Sequence, residues 1–300
     1  MSSSLVEFSN SLADAVERVG SSVIAVLEGG RDGVSGTRWR DGLAVTAEHT
    51  IRGYDEVSVV LSSGEKAKAA VAGRDPGTDI ALLKLPNLSG SATLADDSRT
   101  RVGEIVLAVG RRGSQGLATT YGIVSALGGA WRTWQGARVD RWLRLDLNPF
   151  TGFSGGPIVN ASGEVLGIAT SGPRRSVVTI PSSTVTRVVD QLLQRGRVTR
   201  GYLGVGLQPV AFPEAARKAI GVESERGLLV VTLAPAGSAE QAGVLLGDII
   251  VSAKGQPLRS LRDLQPALDS ENVGKPIELA IVRGGKLMKL NVTVGERPGE

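Results

Sequence analysis

The 300-residue chain carries 34 Lys and Arg against 30 Asp and Glu, a formal net charge of +4, with 41% hydrophobic and only 4% aromatic residues. Its mixed charges include no arginine-rich arm and no basic patch interleaved with aromatics, which argues against a nucleic-acid partner. The absence of cysteine excludes disulfides and thiolate metal sites, and one histidine is too few for a zinc centre, so no metal and no cofactor is expected.

In chain order, Leu5, Phe8, Leu12, Ala15 or Val16, and Val19 recur at helical spacing before Gly20, predicting an amphipathic helix over residues 4–19, the core of an N-terminal segment 1–20. Short apolar runs separated by turn residues follow, at 22–27, 42–46, 57–61, 80–85, 105–109, 122–127, 157–159 and 165–170. Regular short strands without intervening helices predict a barrel or sandwich, a mainly β fold. Residues 182–193 read as a helix with Val185, Val188, Val189, Leu192 and Leu193 on one face. The basic stretch 196–200 reads as a linker.

A second unit, 201–298, has strands expected at 227–233, 248–253, 277–282 and 287–294, and helices at 213–219, 239–242 and 261–268. Ser260 and Asp263 have the spacing of a capping box, and Pro266 should shorten or kink the helix that follows. Met1-Ser2-Ser3-Ser4 has no basic n-region or apolar stretch, and no window reaches membrane-spanning length. A cytoplasmic location is the expectation, or the periplasm or envelope if an export signal has been removed.

The chemistry centres on His49, the sole histidine. A serine hydroxyl needs a base to become a nucleophile, and imidazole is the usual one. Thr151-Gly152-Phe153-Ser154-Gly155-Gly156-Pro157 supplies the candidate hydroxyl, and Thr78-Asp79-Ile80-Ala81 places one acid at the head of an apolar run. Gly152-Phe153-Ser154-Gly155-Gly156 also fits the nucleophile elbow of α/β-hydrolases, but that fold needs its histidine after the serine and none follows. The order His, Asp, Ser is that of the trypsin-like double barrel.

Val45-Thr46-Ala47-Glu48-His49, residues 73–81, Gly122-Ile123-Val124-Ser125-Ala126-Leu127, residues 148–157, Glu164-Val165-Leu166-Gly167-Ile168 and Ile180-Pro181-Ser182 occur in one order. Together they resemble the HtrA/Deg family of trypsin-like serine proteases with one C-terminal PDZ domain, over nearly the whole chain. The resemblance implies a double six-stranded β-barrel over 21–195 and a small PDZ β-sandwich with helices over 201–298. It implies catalytic roles for His49, Asp79 and Ser154, with Asp79 preferred over its neighbour Asp75. The backbone amides of Gly152 and Ser154 would form the oxyanion hole.

By the same resemblance Asn148, six residues before the serine, lies at the base of the S1 pocket. Thr170, Ser171 and Gly172 would form one wall, with Val178 on the other side beside Val177 and Ile180. The uncharged Asn148 argues against Arg or Lys at P1 and for small apolar residues. Tyr202, Leu203, Gly204 and Val205 resemble the PDZ loop that captures peptide C-termini, with Leu261, Leu264 or Leu268 as candidates for the groove.

The implied activity is ATP-independent endoproteolysis of unfolded proteins by a homotrimer built on the apolar face near Leu5 and Phe8. The alternative is a PDZ scaffold or holdase chaperone with a locked site. Residues 129–138, holding Trp131 and Trp134, correspond to a regulatory loop expected to touch the PDZ domain or a neighbouring subunit. Two departures stand out. Phe153 replaces a small polar residue before the nucleophile, and Arg111-Arg112 replaces Asn-Pro after the preceding strand.

Overall fold

Helix α1 (Ser4–Gly20) starts at Ser3, whose hydroxyl accepts from Leu5 N at 3.4 Å. Its Ala15 and Val19 are buried while Leu5 and Phe8 stay exposed. This is a computed structural model, and it describes residues 3–27, 33–85, 88–113, 116–133, 135–148, 151–172 and 177–297. Trp134, the Pro149-Phe150 step and residues 298–300 lie outside those residues. The chain divides into Met1–Val198 and Thr199–Glu300, a cut that falls inside the linker read at 196–200.

In the first unit, β1 (Val23–Leu27), β2 (Val34–Arg40), β3 (Leu43–Ala47), β4 (Glu56–Val60), β5 (Lys66–Asp75) and β6 (Ile80–Lys84) close into a barrel in the order β1-β2-β3-β6-β5-β4. Strand alternation sends Ile24, Val26, Ala44, Ala81 and Leu83 to one core and Val23, Val45, Ile80 and Leu82 to another. That second core also receives Leu107, Val109, Val159 and Ile168 from the next sheet, together with α1 and α2 (Ser182–Arg195). Strands buried on both faces read as continuous apolar runs, which is why β1, β3 and β6 were legible.

The next sheet holds β7 (Ile105–Arg111), β8 (Leu117–Gly128), β11 (Trp142–Asp146), β12 (Pro157–Asn160), β13 (Val165–Ser171) and β14 (Val177–Pro181), ordered β11-β8-β7-β12-β13-β14. Its edge strands β11 and β14 come back into contact, giving the second barrel-like body. Between β8 and β11, β9 (Trp131–Arg132) and β10 (Arg138–Val139) form a small hairpin. Helix α2 fastens it, since Arg187 Nη2 donates to Arg138 O at 2.7 Å and Asp140 N donates to Thr184 Oγ1 at 2.8 Å. Leu193, expected on the buried face of α2, is 43% exposed; Val185, Val188, Val189 and Leu192 are buried.

The second unit is a sheet ordered β16-β17-β18-β20-β21, from Val205–Ala211, Arg226–Leu233, Ile249–Ala253, Pro276–Arg283 and Lys286–Thr293. Short β19 (Gln256–Pro257) pairs with β18, and β15 (Gly201–Tyr202) pairs with β22 (Gly295–Glu296). Helices α3 (Glu214–Ile220), α4 (Ser238–Gln241) and α5 (Leu261–Leu264) complete it. Pro266 acts as expected: the α-helix ends at Leu264, Gln265 N takes the Arg262 carbonyl, and the chain continues as a 3-10 turn over Gln265–Leu268.

The start of α5 is held by the Asp263 carboxylate, which accepts from Arg259 N at 2.8 Å and Ser260 N at 2.7 Å. Asp263→Ala is expected to lower the stability of this unit by about 1 kcal/mol, read as an earlier midpoint in denaturant melts of the full chain. An unchanged midpoint would show the cap to be idle.

Candidate active site

His49 sits on a 3-10 turn, Glu48–Thr50, where β3 ends. Asp79 opens β6, which pairs with β3 through Ala47 and Ile80. The turn before Asp79 is organised by the rival acid: Asp75, 2% exposed, accepts from Gly77 N at 3.2 Å, Thr78 N at 3.2 Å and Thr78 Oγ1 at 2.7 Å. Asp75 is therefore a turn builder. Asp79 takes φ +59°, the left-handed region rarely used by non-glycine residues, and this aims its carboxylate at the histidine.

Asp79 Oδ1 accepts from His49 N at 2.8 Å and Oδ2 pairs with His49 Nδ1 at 2.7 Å. Thr170 Oγ1, from the end of β13, donates to the same Oδ2. The hydrogen bond to Asp79 raises the His49 pKa above the ordinary value, against the opposing effect of burial; the charge of Asp79 and that of Glu48 add to it. Burial pushes Asp79 up, yet the bonds from His49 and Thr170 outweigh it and hold its carboxyl below the usual range. With Nδ1–H given to the carboxylate, Nε2 is the nitrogen left to act as base.

Ser154 lies in the turn before β12, and its Oγ is 3.2 Å from Ser171 Oγ. Ser171 follows Thr170, so consecutive residues of β13 reach Ser154 and Asp79 from opposite faces of the strand; His49 is bonded to Asp79, and among the described residues no hydrogen bond joins His49 to Ser154. The loop is anchored at both ends. Ser35 N donates to Ser154 O at 3.0 Å, Gly155 N to Ala169 O at 2.8 Å, and Gly156 N to Phe153 O at 2.8 Å. Because a peptide unit is planar, turning the Phe153 carbonyl toward Gly156 turns the Ser154 N–H the other way. Gly152 has φ +101° and Gly155 φ +83°. A Cβ on Gly155 would collide with Ser35 O, so glycine is required there for close approach.

Phe153 finds its place in the core of the second sheet. It is 4% exposed and packs with Val106, Ala108, Val124, Ile158, Leu166 and Ala169. The space beside it exists because residue 110 is glycine, where a Cβ would stand 3.1 Å from the Phe153 ring. Burying such a ring contributes about 1.5–3 kcal/mol to seating the loop.

The expected S1 lining needs one change of face. Thr170 is buried and committed to Asp79, and its cross-strand partner Val178 packs against the core shared by the two sheets. Ser171 and its partner Val177 occupy the opposite face, where Ser154 and Phe153 lie. Strand alternation thus assigns Ser171 and Val177, rather than Thr170 and Val178, to the side of Ser154. Gly172 is half-buried and Asn148 exposed, and residues 173–176 lie outside the described set.

In the second unit Tyr202 is on β15 and Val205 starts β16. Leu203 is core, 2% exposed, and its carbonyl accepts from Ala239 N at 2.9 Å; Gly204 O accepts from Ala234 N at 2.7 Å. Gly204 has φ +76° and lies where a Cβ would be 3.2 Å from the Gly237 Cα. Leu264 and Leu268 join the core, and Leu261 is exposed.

A trypsin-like peptidase domain model matches residues 34–168 and a PDZ domain model residues 201–294. A protein of Brucella suis biovar 1 (strain 1330), named a probable periplasmic serine endoprotease DegP-like, is 36% identical over 269 residues. Those residues are 87% of this chain and 52% of the relative, so the chain spans about half the length of the curated relatives it matches. A Rhizobium meliloti relative of the same name is 34% identical over 268 residues, with the same coverage.

Among solved structures, the HtrA-type protease AlgW with a decapeptide superposes with TM-score 0.77 at 27% identity, over 96% of this chain and 99% of that one. The serine endoprotease from Yersinia pestis gives TM-score 0.76 at 28% identity, over 96% and 98%. Two domains in this order, a trypsin-like peptidase and then a PDZ domain, define the class. Within it the chain belongs to the HtrA/Deg family. The cytoplasmic expectation is overturned, because the relatives are named periplasmic; it had leaned on the first residues of the chain, which do not decide the matter.

Because His49 is the one histidine, its ring gives a single set of imidazole signals in proton NMR. Its titration midpoint is expected above about 6.5 and should fall in Asp79→Asn. A raised folded value means that this pair's stabilisation is complete below about pH 6.5 and is lost as pH rises through the folded midpoint. A midpoint at or below 6.5 in the wild type would show that Asp79 does not hold the imidazolium.

Proposed function

We propose that the chain is an ATP-independent serine endopeptidase of the HtrA/Deg type, cleaving unfolded or misfolded proteins after small apolar residues. The observation that supports this reading is the junction at Asp79, which orients His49 and accepts from Thr170, the neighbour of the Ser171 that bonds Ser154. His49 Nε2 takes the Ser154 proton as Oγ attacks the scissile carbonyl, and Asp79 stabilises the imidazolium that forms. The tetrahedral oxyanion faces the N–H groups of Gly152 and Ser154, each worth roughly 3–4 kcal/mol in such sites. His49 then protonates the leaving amine, and water, activated by the same imidazole, releases the acyl group.

Pocket residues Ser171, Val177 and Gly172, with uncharged Asn148 at the base, suit a small apolar P1 side chain. The PDZ domain captures hydrophobic peptide C-termini through the loop 202–205, a reading supported by the AlgW structure being one with a decapeptide. The exposed Leu5 and Phe8 on α1 support self-association as a homotrimer. A second reading, a scaffold or holdase with a locked site, draws on one observation: the Ser154 hydroxyl is bonded to Ser171.

Cleavage of an unfolded casein-type substrate separates the two. Wild-type cleavage, raised by a hydrophobic peptide with a free C-terminus, and a loss on the order of 10⁶ in kcat for Ser154→Ala are expected. Peptide binding with no hydrolysis by the wild type under any condition would leave the scaffold.

A further inference from the structure

Ser35 is a fully buried serine in β2, in the same barrel as His49 and Asp79. Its hydroxyl donates to the Gly152 carbonyl at 2.7 Å and accepts from Arg111 N at 2.9 Å. Its backbone N–H donates to Ser154 O at 3.0 Å, and its carbonyl accepts from Thr46 Oγ1 at 2.7 Å. Two residues on, Thr37 Oγ1 donates to Gly155 O at 3.0 Å. One face of β2 therefore grips the carbonyls of residues 152, 154 and 155.

The Gly152 carbonyl is the grip that matters for chemistry. A glycine has no side chain to resist rotation of its flanking peptides, so the direction of its N–H depends on what its neighbours hold. With the carbonyl fixed, the Gly152–Phe153 peptide plane is fixed, which leaves φ and ψ of Gly152 itself to set the direction of its N–H. The position is built around the hydroxyl. A Cβ on Gly110 would be 2.9 Å from Ser35 Oγ, and one on Gly156 would be 3.1 Å from Ser35 Cβ. Arg111, one of the two departures from the family pattern, is locked in turn. Its guanidinium donates to Val23 O at 2.8 Å and to Gly20 O at 3.1 Å, at the carboxyl end of α1 where a cation is favoured.

Resting on the protease reading above, we infer that Ser35 is a positioning residue for the oxyanion hole. Its hydroxyl relays the Arg111 amide to the Gly152 carbonyl and so sets the geometry of the loop without touching substrate. Removing the hydroxyl leaves a half-buried acceptor and a half-buried donor without this partner, and frees the Gly152–Phe153 peptide to turn.

The test is Ser35→Ala in the full chain, with kcat referred to sites titrated by a fluorophosphonate probe, beside wild type and Ser154→Ala. Expected is a fall in kcat of about 10- to 100-fold, less than the 10²–10³ lost with a direct oxyanion donor. KM should stay within about twofold and the acid midpoint of kcat/KM should not move, since His49 is untouched. The rate of phosphonylation should fall with kcat. Ser35→Cys, which keeps a weaker donor, should lie between the two, and it carries the same test if Ser35→Ala does not fold. Wild-type kcat per titrated site in either folded variant, a loss confined to KM, or a shifted pH midpoint would overturn the inference. If Ser154→Ala cleaves as well as wild type, the protease reading itself has failed; if only Ser35→Ala is normal, that reading stands and this one falls.

Discussion

Everything about the site depends on one carboxylate that receives donors from two barrels. His49 and Asp79 come from the first barrel and Thr170 from the second sheet, and all meet at Asp79 Oδ2. A charged acceptor bonded by an imidazole N–H, a backbone N–H and a hydroxyl remains ionised despite its burial, because those bonds outweigh desolvation. The left-handed backbone at Asp79 is the local strain that this meeting requires, and the Asp75 turn beneath it supplies the compensation through three hydrogen bonds.

The loop that carries Ser154 is held by different physics. Its carbonyls are gripped by β2 and its one large side chain is packed into the second sheet. The candidate site is thus held in two ways, His49 electrostatically through Asp79 and the Ser154 loop by hydrogen bonds from Ser35 and Thr37 to its carbonyls. The glycines at 110, 155 and 156 are what let these strands approach so closely.

Much of this was legible in the sequence, and the exceptions share a cause. Helices α1 and α2 and the doubly buried strands β1, β3 and β6 announced themselves by periodicity. Strand β2 did not, because Val34-Ser35-Gly36-Thr37-Arg38 reads as a polar turn; Ser35 and Thr37 are buried only because their hydroxyls are consumed by carbonyls far along the chain. Strand β5 was hidden by alanines and lysines, poor strand formers rescued by pairing on both sides. The triad candidates were readable because one histidine left one choice of base. Which face Thr170 and Val178 would take was not, since a strand's two faces can be told apart only once its register is known.

The burial of Phe153 carries a consequence for how such a site can be switched. A loop held by polar contacts alone can come undone while the barrel beneath it stays intact. Here the residue before Ser154 is part of the sheet's own packing, so displacing it costs contacts in the core beneath it. Any displacement of Phe153 is therefore also a repacking of Val106, Ala108 and Ile158 beneath it.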